Sequence, residues 1–281
     1  MDIISTRAVA EVLGVSEATV KRWSDAGTLR CFRTPGGHRK FRLRDVKAFL
    51  LDHEAEIRTE APTATATPGL TADQAEARAL ALSSDVDGLV SLVAKHRMQG
   101  TPLARIFDEV FTPAMASIGT DWAQGRLTAA QEHLASGAVL EMLARVRPLV
   151  ERSSRADRGR AICACLQGEQ HAIGIHMVAL VLGAAGYRVA MLGANVPTAD
   201  LALMVAGDSP ALLALSASSN ANPEALRGDL AVVSSAAAAS KTKVVVGGPG
   251  FDRLSSLPGN VVRRTDLQSL LGGETEPLTN A

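Results

Sequence analysis

Net charge is the first thing this sequence does without. Its 281 residues carry 29 Lys and Arg against 29 Asp and Glu. No global field therefore draws the whole chain to nucleic acid or to an anionic surface. Cysteine is nearly absent. Cys31, Cys163 and Cys165 are too few for a disulfide framework, which points to a reducing compartment. No apolar run reaches the ~18 residues that cross a bilayer. The N-terminal MDIISTRAVAEVLG has no basic segment followed by a long apolar core, so it is not read as a signal peptide. A cytoplasmic location is the resulting expectation, with no membrane partner. No internal repeat is visible. What remains is 281 residues that are 47% hydrophobic, too long for one ordinary core and suited to two or three domains.

The zero net charge hides an uneven distribution. Residues 1–50 hold ten Lys or Arg against five acids. That basic end also has a local pattern. TRAVAEVL over 6–13 reads as a short helix, and Gly14-Val15 as a turn. Ser16 then caps a second helix that stops at Gly27. Two short helices across a Gly-containing turn make a helix-turn-helix. The basic arms of RTPGGHRKFR around Pro35-Gly36-Gly37 read as a β-hairpin wing. A third helix, LRDVKAFLLDHEAEI, follows. Lys21 and Arg22 lie on the second helix beside Trp23, and side chains of this kind reach base edges and phosphates. Arg33, His38, Arg39, Lys40 and Arg42 of the wing suit phosphate contact or a minor groove. The region 3–50 resembles the MerR-family winged helix-turn-helix, whose wing TPGGHRKF matches. That resemblance implies double-stranded, palindromic operator DNA bound by a dimer.

The Thr-, Ala- and Pro-rich segment 59–72 has no apolar period and reads as a linker. Residues 73–153 are rich in Ala and Leu at helical spacing. Four helices are expected, over 73–83, 85–98, 102–121 and 128–152, and short turns between them suggest a bundle. From residue 160 strand-length apolar runs alternate with helices. RAICACL, YRVAMLG, ALLALSAS, KVVVGG and a short run at NVV make five strands. The intervening helices are expected near 171–186, 198–207, 223–240 and 250–257. That alternation predicts a parallel sheet of flavodoxin-like, doubly wound form, with its ligand at the carboxyl ends of the strands.

The first strand of that domain runs into QGEQHAIG, which places His171 in a ligand-binding loop. A loop imidazole there offers a nitrogen to a metal, and Glu169 can bond the other nitrogen and fix the tautomer. Gly174 lets the helix start pack close to a bulky ligand. After 41 residues comes Ser216-Ala217-Ser218, and after 28 more Gly247-Gly248. This pattern resembles the cobalamin-binding motif of acid, His two on, Gly three later, then Ser-x-Leu and Gly-Gly. Two positions depart from it: Glu169 stands for the usual Asp and Ser218 for the usual Leu. The resemblance implies that His171 is the lower axial ligand of cobalt. It also implies that Ser216 and the Gly247-Gly248 turn line the slot for the cofactor's nucleotide tail.

Within the helical segment, Trp122 is followed after nine residues by Glu132-His133. A helical hairpin brings these three to one end of a bundle, where an aromatic face and an acid suit a nucleoside. Trp, nine residues, then Glu-His resembles the signature of the CarH/LitR-type adenosylcobalamin photoreceptors. Those proteins also join a MerR-type head, a four-helix bundle and a cobalamin domain in this order. The resemblance implies that Trp122 and Glu132 contact the 5′-deoxyadenosyl group, and that His133 is the upper cobalt ligand once that group has left.

The expected organisation is therefore multidomain. A winged helix-turn-helix occupies 1–58, a linker 59–72, a four-helix bundle 73–155, an α/β flavodoxin-like (Rossmann-type) cobalamin domain 156–273 and a tail 274–281. The expected function is a light-responsive, non-enzymatic repressor whose dark homo-oligomer with adenosylcobalamin binds operator DNA. A light-independent cobalamin-sensing or cobalamin-free regulator stays open, as does a corrinoid carrier for methyl transfer. Other candidates are assigned to packing. Cys163 and Cys165 face the inside of a strand. Met142, Met177, Met191 and Met204 read as core. Cys31 is a single thiol near the wing. His53, His96 and His176 lie on or near helices in surface or packing roles.

Overall fold

The computed structural model of the chain describes residues 3–13, 15, 17–34, 36–53, 69–153 and 157–271. The expected turn at Gly14, the Ser16 cap, Pro35 of the wing, the third helix beyond His53, most of the 59–72 linker and the 274–281 tail lie outside the described residues. The chain forms two compact units. One is Met1–Pro102 with Glu109–Met142; the other is Leu103–Asp108 with Leu143–Ala281.

The first unit opens with β1 (Ile3–Ser5), α1 (Thr6–Leu13) and α2 (Glu17–Asp25). Next come β2 (Phe32–Arg33), β3 (Arg39–Arg42) and α3 (Leu43–Asp52). The three strands form an antiparallel sheet in the order β1-β3-β2. Hairpin β2–β3 is the expected wing, with Phe32 opposite Lys40 and Arg33 opposite Arg39. Strand β1 was not expected, because three residues are too few to show a period of two. Helical spacing selects the core. Val9 and Leu13 on α1, Val20 and Trp23 on α2, and Val46 and Phe49 on α3 bury together around Phe41 of β3. Trp23 therefore packs inside, its ring 4.9 Å from that of Phe49, rather than pointing to a ligand. His53 stacks on Phe49 at 4.4 Å.

Helices α4 (Ala72–Leu82) and α5 (Val86–Met98) follow. Thr71 and Gln74 close a full capping box on α4, and the Asp85 side chain caps α5. The basic last turn of α5, Lys95-His96-Arg97, complements the negative end of its dipole. The single helix expected over 102–121 is instead three pieces. They are α6 (Leu103–Ile106), a π-helical turn Phe107–Phe111 and α7 (Thr112–Ala123). Pro113 is the cause: it has no N–H to donate four residues back, and its ring crowds the carbonyl of Glu109. That carbonyl is not left bare, since the Gln74 amide donates to it at 2.7 Å. The long α8 (Ala129–Ser153) completes the helical segment.

The second unit carries β4 (Arg160–Leu166), α9 (Ile173–Ala184), β5 (Arg188–Val196), α10 (Thr198–Asp208) and β6 (Leu212–Ser216). It ends with α11 (Pro223–Ala239), β7 (Lys243–Gly247), α12 (Pro249–Asp252) and β8 (Val261–Arg264). All pairings are parallel, in the order β5-β4-β6-β7-β8. This is the doubly wound order 2-1-3-4-5, and the strand order reverses between β4 and β6. The carboxyl ends of those two strands flank the crevice. The helix expected over 250–257 is one turn only, Pro249–Asp252.

Cys163 and Cys165 on β4, an inner strand of the sheet, are wholly buried. Burial pushes both thiols up to about 12. Only the thiolate reacts with electrophiles. A maleimide at neutral pH should therefore label Cys31 alone in the native chain, and all three cysteines after denaturation. Native labelling at Cys163 or Cys165, read by peptide mass, contradicts the packing of β4.

Candidate cofactor site and nucleic-acid interface

His171 lies in the loop between β4 and α9, at the crevice that the topology creates. The Glu169 side chain organises this loop. One carboxylate oxygen accepts the His171 backbone N–H at 2.8 Å and its Nδ1 at 2.6 Å. The other accepts the Ser218 backbone N–H at 2.7 Å and its hydroxyl at 2.8 Å. Glu169 is 4% exposed. Burial alone would push its carboxyl up; the four hydrogen bonds from His171 and Ser218 outweigh that and hold it below the ordinary value. An ionised Glu169 fixes the imidazole proton on Nδ1. Nε2 then carries the lone pair, and no described residue bonds it. The His171 side chain is 56% exposed. An imidazole held in this way by a carboxylate could offer its other nitrogen to a metal.

The walls of the crevice come as close as glycine allows. A Cβ on Gly174 would sit 2.9 Å from the Ser216 hydroxyl. A Cβ on Gly248 would sit 2.5 Å from the Ala217 carbonyl oxygen. The Gly247 carbonyl accepts the Ala217 N–H at 3.2 Å, and the Gly250 N–H donates to the Ala217 carbonyl at 3.0 Å. The structure thus gathers Glu169, His171, Gly174, Ser216, Gly247 and Gly248 along the carboxyl edge of one sheet. It adds Ser218, which sequence reasoning treated only as a departure from Leu. A hydroxyl-bearing residue two beyond Ser216, paired with the longer Glu169, was the available signal.

In the first unit, Trp122 lies in the last turn of α7, and Glu132 and His133 lie in the first turn or so of α8. The connection between them folds back on Asp121, whose backbone carbonyl accepts the Arg126 and Leu127 N–H groups. The Asp121 carboxylate takes Arg126 and Arg78 at 2.5 Å each, which hold it below its usual range. This anchor beside Trp122 was not foreseen. Trp122 remains 45% exposed despite its size. The Glu132 carboxylate accepts the Ser136 hydroxyl at 2.6 Å and lies 2.9 Å from His133 Nδ1. His133 has its side chain 79% exposed. Both histidines thus have Nδ1 against a glutamate, and among the described residues neither Nε2 has a partner.

The basic residues divide by burial. Lys21 is half exposed and pairs loosely with Glu17 at 3.7 Å. Arg22, His38 and Arg42 are exposed, and Lys40 is half-buried between its two neighbouring strands. Arg33 is exposed and 3.7 Å from Asp25. Arg39 is different: its side chain is 17% exposed and bonds Asp25 at 2.6 Å, tying the wing to α2. Arg33→Ala should lower the salt slope of binding to random-sequence duplex DNA by about 1 and leave folding unchanged. Arg39→Ala should in addition speed amide exchange across the wing. Equal exchange in the two variants would show that Arg39 does not brace the hairpin.

Three family matches and several relatives agree with this geometry. Residues 3–53 match the helix-turn-helix domain family, and residues 74–147 and 159–262 match two families described as B12 binding domain. The HTH-type transcriptional repressor CarH of Myxococcus xanthus is 31% identical over 232 residues, covering 74% of this chain and 76% of that protein. The HTH-type transcriptional repressor CarA of the same organism is 28% identical over 241 residues, covering 75% of each. Among solved structures, the monomethylamine corrinoid protein of Methanosarcina barkeri superposes with a TM-score of 0.57 at 18% identity. It covers 70% of this chain and 94% of that one, and shows the shared fold of bundle and α/β domain. No described helix is long and apolar enough to cross a membrane. With a helix-turn-helix match, two B12 binding domain matches and 31% identity to CarH over 74% of its length, the chain belongs to the CarH family of HTH-type transcriptional repressors.

Proposed function

We propose that the chain is a cytoplasmic, light-responsive repressor that binds adenosylcobalamin and grips operator DNA as a dark homo-oligomer. The observation that carries the reading is the His171 imidazole: Glu169 holds its Nδ1, and its Nε2 has no partner among the described residues. His171 would hold the cobalt of a corrinoid through that nitrogen. The close approaches at Gly174 and Gly248 suit a slot for the nucleotide tail, with Ser216 and Gly247 beside it. Adenosylcobalamin would supply a cobalt–carbon bond that visible light breaks.

The remaining roles belong to the chain. Trp122 offers an exposed aromatic face for the adenine, and Glu132 an acceptor for ribose hydroxyls. His133, backed by Glu132, presents a second nitrogen donor for cobalt. A ligand shifts a switch only by binding two states unequally, and these three residues would sense whether the adenosyl group is present. Lys21, Arg22, Arg33, His38, Arg39, Lys40 and Arg42 supply the DNA contacts. Several winged domains on one oligomer raise affinity through effective concentration. The chemistry is ligation and conformational change, not turnover.

The test is the size and DNA binding of the chain with adenosylcobalamin in darkness, before and after visible light. A large dark complex that holds DNA and falls apart in light supports the reading. Cofactor binding with no light response reduces it to a cobalamin-supply sensor. No cofactor binding leaves the DNA-binding half alone.

A further inference from the structure

Strand β5 does not run regularly beside β4. From Ala164 to Leu166 is a step of two residues, but their partners Gly193 and Val196 are three apart. The extra residue makes a bulge, and bulges beside functional sites re-aim side chains. Asn195 lies in this bulge with φ +54. The left-handed region is uncommon outside glycine, and asparagine is among the few residues that tolerate it. Such a conformation persists where the surroundings hold it.

Two hydrogen bonds hold Asn195, and both go to the loop that carries His171. The Asn195 backbone N–H donates to the Glu169 carbonyl at 2.9 Å. The Asn195 side-chain oxygen accepts the Gly168 N–H at 2.8 Å. The loop is also tied to its own strand, since the Glu169 N–H donates to the Leu166 carbonyl at 3.1 Å. Three neighbouring strands therefore converge on one residue. Strand β4 leads into Glu169, β5 holds its main chain through Asn195, and the segment after β6 holds its carboxylate through Ser218.

We propose that Asn195 is a positioning residue that sets the orientation of His171 and so the strength of axial nitrogen ligation to cobalt. This rests on the reading of His171 as the cobalt ligand. Asn195 does not itself touch the metal. It acts by fixing the loop peptide units at Gly168 and Glu169, three and two residues before the imidazole.

The test uses the full chain with Asn195→Gly, Asn195→Asp and, separately, His171→Ala. Glycine keeps the backbone conformation free of strain and loses only the side-chain acceptor; aspartate keeps an acceptor and tolerates the same φ. The probe is cob(II)alamin, read by binding affinity and by electron paramagnetic resonance. Chains with unlabelled and 15N-labelled histidine distinguish a histidine nitrogen on cobalt from the cofactor's own base. Asn195→Gly should weaken binding about 10-fold or more and spread or lose the histidine splitting, with little change in melting. Asn195→Asp should restore both. In the cofactor-free chain, the Gly168 amide should exchange about tenfold faster in Asn195→Gly. Unchanged affinity and splitting in Asn195→Gly would overturn the proposal, as would equal loss in the Gly and Asp variants with a lowered melting temperature. If His171→Ala keeps the histidine splitting, the cobalt-ligand reading itself fails, whatever Asn195 does.

Discussion

Glu169→Gln is expected to damage both folding and cofactor retention. The carboxylate takes four hydrogen bonds from four donors, two on each oxygen. An amide can accept on one side only. Its NH2 must face either the His171 pair or the Ser218 pair. The Ser218 hydroxyl can turn to accept, but the Ser218 backbone N–H cannot. A buried donor left unpaired costs about 1–3 kcal/mol. In a domain of this size each lost kcal/mol lowers the melting midpoint by about 2–4 °C. The cofactor-free variant should therefore melt several degrees lower. Cobalamin affinity should fall about 10–100-fold, the usual effect of losing a carboxylate behind a ligating histidine. Glu169→Asp keeps the charge with a shorter reach. It should hold His171, lose Ser218 and fall between wild type and Gln. Thermal melting and equilibrium titration with cobalamin check this. If Gln behaves as wild type in both, the carboxylate does not organise the loop.

What the sequence shows of this molecule follows the range over which each signal acts. The parallel sheet is legible because five apolar runs alternate with helices, and the chain order alone then puts His171 at the switch point. The helix-turn-helix is legible through local spacing and the wing glycines. The π-turn at Phe107–Phe111 is not, because helical periodicity continues through it and only the ladder of backbone hydrogen bonds changes. Ser218 and Asn195 were invisible as site residues for another reason. Their partners are 49 and 27 residues away, at Glu169 and Gly168. No local pattern marks a hydrogen bond between the ends of two strands. Arg39 shows the converse. Its charge and place in the wing suggest DNA, yet burial against Asp25 gives it a structural partner that composition cannot reveal.

Gly248→Ala is the other substitution with a large expected effect, and its cause is backbone alone. Gly248 has φ +92 and ψ 159. That region is essentially restricted to glycine, and occupying it with another residue costs about 1–3 kcal/mol. The new methyl would also meet the Ala217 carbonyl oxygen at 2.5 Å. A flexible side chain could move aside, but Ala217 is bonded to Gly247 and Gly250 on the same rim. Forcing a methylene into such packing adds about 1–3 kcal/mol. The cofactor-free variant should lose about 3 kcal/mol or more, and roughly 10 °C in melting midpoint at about 2–4 °C per kcal/mol. Gly228→Ala supplies the opposite sign. Gly228 lies inside α11 with nothing within 4 Å of an added Cβ. Alanine there should stabilise by about 0.5–1 kcal/mol through helix propensity. Measured side by side, the pair separates the generic effect of losing a glycine from the specific demand of the rim. If Gly248→Ala melts like wild type, the Ala217 peptide can yield, and the crevice wall beside His171 is soft rather than preformed. A soft wall would mean that the slot is shaped by its ligand, and the cofactor-loaded variant would then melt like loaded wild type as well.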